Sequence, residues 1–90
     1  MIATNRRERL IGETTDLGIG FLIAESEDGA YQPVGAVTTI LEAREIAASD
    51  MCLRMDRLEQ GSDPMCPTRY LVWARGDRGE YATVAEIEAN

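Results

Sequence analysis

The chain contains no histidine and no lysine, and only two cysteines. Without histidine the commonest general base is missing, and nucleophile activation of the Ser–His or Cys–His kind is excluded. A zinc site built on Cys52 and Cys66 would have to borrow at least two carboxylates, an unusual donor set. Neither a metal nor a cofactor is therefore expected. The two cysteines stand fourteen residues apart with no CxxC pair, which reads as two ordinary thiols. No apolar run approaches the roughly 18 residues that would cross a bilayer. Near the start, Gly12, Glu13, Thr14 and Asp16 interrupt any block that could serve as a secretion signal. These absences point to a cytoplasmic chain with no membrane partner.

What is present is acid. The net charge is −7, and the nine positive residues are all arginine. A protein this acidic makes a poor direct nucleic-acid ligand, because phosphate binding draws its affinity from lysine and arginine. No basic residue occurs between Arg9 and Arg44, whereas Glu13, Asp16, Glu25, Glu27, Asp28 and Glu42 do. A stretch of this kind is either a solubilising surface or a docking surface for something basic. Its candidate docking residues are Glu25, Glu27, Asp28 and Glu42.

Ninety residues suit one domain with one core. The strongest element runs from Thr39 to Gln60. Thr39 with Glu42 forms a capping box, Gly61 suits a left-handed C-terminal cap, and Pro64 blocks resumption. At about 100° per residue, Ile40, Ala43, Ala47, Met51, Met55 and Leu58 fall on one stripe, which reads as a helix laid on a sheet. Strands are expected at Phe21–Ser26 and Tyr31–Val37, joined by the turn Glu27-Asp28-Gly29. Pro33 consigns the second strand to an edge. Thr68–Arg75 is the strongest strand by aromatic and β-branched content, and Gly76–Gly79 turns it back into Glu80–Ile87. The order β-β-α-β-β defines an α+β fold: a two-layer domain with a four-stranded antiparallel sheet and one long helix on one face. Residues 1–20 form an N-terminal segment, in which Asn5 can cap a short helix ended by Gly12. Residues 21–90 form the single α+β domain.

Motifs of chemistry are sparse. Asp16–Gly20 and Arg75–Gly79 are glycine-rich, but neither matches a phosphate loop, and Glu25–Gly29 lacks the spacing of a calcium loop. Tyr31, Tyr70, Trp73 and Tyr81 supply strand surface for cross-strand packing; a base-stacking platform would need basic neighbours. Enzymatic activity is not expected. Two helix features stand out. Arg44 and Arg54 lie about 40° from the centre of the apolar stripe, so their stems should pack while their heads escape or pair, and Asp50 is well placed to pair with Arg54. Ile46 and Leu53 sit a heptad apart, about 120–140° away from that stripe. They need cover, either from Leu10, Ile11 or Leu17 or from a second chain in a homodimer.

The run Ile23–Tyr31 followed by Thr38–Ile46 resembles the HicB-like antitoxins, which carry an acidic strand, a glycine–tyrosine turn and a threonine-capped helix with a Glu-Ala pair. Gly29, Tyr31, Thr39, Glu42 and Ala43 match, while Pro-Val-Gly-Ala at 33–36 replaces the Leu-Pro-Gly-Cys segment common in that family. The resemblance implies a small protein that covers a basic toxin surface. The expectation for the whole chain is a small acidic, non-enzymatic domain that binds another protein, one with a basic surface, through Glu25, Glu27, Asp28, Glu42, Ile46 and Leu53. The alternatives are a nucleic-acid-mimicking inhibitor of a nucleic-acid-binding defence protein, as phages encode, or an antitoxin of that kind.

Overall fold

The computed structural model describes residues 13–62, 65–76 and 78–89. The short helix expected after Asn5, with Leu10 and Ile11, lies outside the described residues. The order is β1 (Gly20–Ser26), β2 (Tyr31–Val37), α1 (Ile40–Glu59), β3 (Pro67–Arg75) and β4 (Tyr81–Glu88), as the sequence predicts. The sheet runs β2-β1-β3-β4, and every neighbouring pair is antiparallel. Each hairpin therefore contributes one inner and one edge strand. Pro33 lies on an edge strand, where a residue with no amide to donate is tolerated, and Val34 is the extra residue of a bulge beside it.

Local chemistry fixes the helix ends. Thr39 is extended (φ −140°), and its Oγ1 accepts from the Glu42 amide at 3.0 Å. The Glu42 carboxylate accepts from the Thr38 amide at 2.8 Å, one residue earlier than a standard capping box would have it. At the other end Gly61 has φ +87°. The Ser62 amide bonds the Arg57 carbonyl and the Gly61 amide that of Leu58, at 2.9 and 3.1 Å. This is a Schellman closure.

The core lies between α1 and one sheet face: Leu22, Ala24, Val37, Tyr70 and Val72 below, Ala43 and Ala47 above. Alternation puts Phe21, Ile23, Leu71 and Trp73 on the opposite face. The expected buried stripe needs correction. Met55 and Leu58 are 49% and 46% exposed, whereas Arg54 is only 9% exposed. The buried line through Ala43, Ala47 and Arg54 is centred about 40° from the centre of the stripe drawn by apolar residues alone. From Met55 to Glu59 every helical residue is exposed, so the end of α1 projects past the sheet. Hydrophobicity marked a broad side of the helix; the alanines, which allow close approach, mark the face that is buried. Among the described residues no helix is long and apolar enough to cross a membrane.

Candidate protein-binding surfaces

Arg54 is the most constrained side chain on the helix. Its Nε donates to Asp50 Oδ2 at 2.6 Å, Nη1 to the Met65 carbonyl at 2.7 Å, and Nη2 to Gln32 Oε1 at 2.6 Å. The Tyr70 hydroxyl donates to the same Asp50 oxygen at 2.7 Å. One guanidinium thus ties α1 to edge strand β2 and to the connector before β3, while Asp50 ties it to β3 itself. Burial pushes the Tyr70 hydroxyl well above the usual tyrosine range, and the adjacent Asp50 carboxylate adds to the rise. The i, i+4 pair was legible in the sequence; Gln32 and the Met65 carbonyl were not, because nothing local connects them to the helix. Arg44, half-exposed, pairs with the buried Glu13 at 3.0 Å.

The acidic residues expected to dock a partner do not form one free surface. Glu25 is buried on the sheet face away from the helix, paired with Arg69, which also pairs with Glu86. The Arg69 hydrogen bond holds the Glu25 carboxyl below its usual range. Asp28 organises the β1–β2 turn, accepting from the Ser26 hydroxyl and from the Ala30 amide, and those bonds, led by the hydroxyl, lower its pKa. Glu42 caps α1. Glu27 is exposed in the turn. Of these four carboxylates, three serve local structure. The structure also separates Ile46 from Leu53: Ile46 packs against the core, as the rotated buried face requires, while Leu53 is 57% exposed.

Two surfaces emerge that the sequence did not single out. One is a groove between α1 and β4 of about 310 Å³, lined by Ala47, Ala48, Met51, Ile87 and Ala89, with Tyr70 at its floor and Arg44 and Glu88 also in its wall. Met55 and Leu58 lie on the same helix flank, within about 60° of Met51, and extend the apolar lining beyond it. The other is the sheet face turned away from α1. It carries the chain's single phenylalanine, its single tryptophan and two of its three tyrosines. Phe21 and Tyr81 contact at 5.6 Å between ring centroids, and Tyr31 meets Trp73 edge-on at 5.7 Å. Beneath them Ile23 and Leu71 pair directly and are each 5% exposed. A signal for both surfaces exists in the order of elements: among the described residues one long helix covers a four-stranded sheet on one side, and incompletely.

Cys52 and Cys66 are exposed and form no disulfide, and no cluster of His, Cys, Asp or Glu able to hold a metal occurs among the described residues. Comparison with protein-family models, curated proteins and solved structures finds no match.

Proposed function

We propose that this chain is a non-enzymatic protein-binding domain of the cytoplasm, and that it receives an apolar segment of a basic partner in the groove between α1 and β4. The observation that carries the reading is the groove itself, with its apolar lining continued by Met55 and Leu58. Methionine suits such a surface, because its unbranched, polarisable side chain adapts to varied apolar partners. Glu45 and Glu59 are exposed on α1 beside it, which favours a partner carrying positive charge next to its apolar residues. An antitoxin would use the same chemistry toward a basic toxin. Nucleic-acid mimicry has less support, since Glu25, Asp28 and Glu42 are already engaged within the chain.

The test is affinity capture from the source cell with the wild-type chain, Met55→Asp and Glu27→Gln in parallel. A partner lost with Met55→Asp, retained with Glu27→Gln and weakened by salt supports the groove. A partner retained by Met55→Asp and lost with Glu27→Gln would move the site to the acidic turn.

A further inference from the structure

We infer that the aromatic sheet face is a self-association surface, and that a second copy of this chain is its occupant. The inference is independent of the groove, which lies on the helix side of the sheet.

Charge is the first argument. Two chains of net charge −7 repel one another, so a contact between copies needs a patch that carries its own counter-charges. The sheet face is such a patch. Glu25 and Glu86 share Arg69 at one end of β3, and Glu88 stands opposite Arg69 in the register with β4, leaving that end with two surplus negative charges. Arg75 is exposed at the other end of the same strand. Between them the face is mostly aromatic and apolar: Phe21 opposite Trp73, and Ile23 opposite Leu71, with Tyr31 and Tyr81 over them at 56% and 45% exposure and Thr83 beside Trp73 on β4. Along β3 the face therefore runs from an acidic end through a mostly apolar middle to Arg75. A two-fold axis in the interface plane, perpendicular to the strands, reverses strand direction and sets Arg75 of each copy over the Glu25–Glu86 end of the other. One patch is then complementary to itself, as an isologous interface requires.

Area is the second argument. Four strands spaced about 4.8 Å apart and some 25 Å long present roughly 500 Å² per copy, or about 1,000 Å² for the pair. That value sits at the threshold for a specific interface. The association should accordingly be reversible, with a dissociation constant of about 10–100 µM. Sheets packed face to face lie about 10 Å apart with strands within about 30° of alignment. The two helices then form the outer layers of a four-layer dimer, and both grooves stay open.

Sedimentation equilibrium across that concentration range reads the dimer directly. Because Trp73 is the chain's single tryptophan and sits on this face, its emission should shift to the blue as concentration rises. Arg75→Glu and Glu86→Lys should each raise the dissociation constant about three- to fivefold. The double variant should recover part of that loss, since the two reversed charges then face each other across the two-fold axis. The far-ultraviolet spectrum should be unchanged in all three, and Met55→Asp should leave dimerisation intact. Monomer at every concentration would overturn the proposal, as would a dimer indifferent to both charge reversals. Quenching of Trp73 by a single-stranded oligonucleotide with the chain remaining monomeric would likewise overturn it, and would make the face a base-stacking platform instead.

Discussion

Replacing Arg54 by methionine should be among the most damaging single changes available outside the apolar core. The methionine keeps much of the aliphatic stem, so the loss is that of the guanidinium and its three hydrogen bonds, to Asp50, Gln32 and the Met65 carbonyl. Removing one partner of a buried ion pair destabilises by about 3–5 kcal/mol, because the other charge stays behind uncompensated. Asp50 retains the Tyr70 hydroxyl, and its side chain is 19% exposed, which places the expected loss near the low end, about 3 kcal/mol. For a domain of this size each kcal/mol lowers the melting temperature by about 4–8 °C, so a fall of about 12–24 °C follows. Against a total stability of about 5–15 kcal/mol, this approaches the limit of what the fold tolerates. Urea unfolding followed by tryptophan emission and circular dichroism measures it. Arg54→Lys should fall between, since one ammonium cannot reach three divergent acceptors. Adding Asp50→Asn to Arg54→Met should recover part of the loss by removing the stranded charge, a coupling of at least about 1 kcal/mol. A loss below about 1 kcal/mol for Arg54→Met, or strict additivity with Asp50→Asn, would refute the idea that this network pins the helix.

The raised pKa of Tyr70 carries a pH dependence. The unfolded tyrosine loses its proton near pH 10, while the buried, Asp50-bonded hydroxyl holds its own beyond that; the folded state then binds more protons, and stability should decline as pH rises above about 10. Tyr70→Phe should flatten that alkaline limb in melting curves taken across pH, and an unchanged limb would assign it to other groups. At the acid end, Glu25 and Asp28 have lowered values, so their contribution is present above the ordinary carboxylate range and fades as pH falls through their folded pKa values. Charge-neutral Glu25→Gln should be less acid-sensitive than wild type in the same scan, and equal sensitivity would exclude the Arg69 pair as a source. Thr39→Ala should cost about 1 kcal/mol, or about 4–8 °C in melting temperature, through the lost helix cap; no change would mean that water replaces the hydroxyl at no loss.

Much of the fold was legible because its signals are local. Thr39 and Glu42, Gly61, Gly29 and Gly79 mark the turns and helix ends through backbone demands that few residues meet, and Pro33 placed β2 at an edge for the same reason. The helix face was read less well. A stripe drawn from hydrophobicity weights Met55 and Leu58 over Ala43 and Ala47, yet close helix–sheet approach favours the small side chains, and one arginine with three partners can occupy the centre of a buried face. Those partners come from β2, α1 and the connector, so no sequence window contains them. The candidate surfaces were hidden for a related reason. Glu25 looks like one of a row of surface acids until strand pairing brings Arg69 beside it, and Phe21, Tyr31, Trp73 and Tyr81 look like core until α1 is seen to lie on the other side.

The central seam of the sheet has a kinetic consequence. Each hairpin is closed by a short turn, but β1 meets β3 through pairs such as Leu22 with Val72, about fifty residues apart in the chain. A loop of that length loses much conformational entropy on closure before any contact compensates. The helix lies wholly inside the loop, and a rod of 20 residues, about 30 Å long, carries the chain back across the sheet. Neither hairpin alone has a stable partner for its inner strand, so both wait on the same event. Folding of this domain is thus limited by one long-range encounter that α1 shortens, which places its rate among mixed α/β domains and well below that of a helical bundle of equal length.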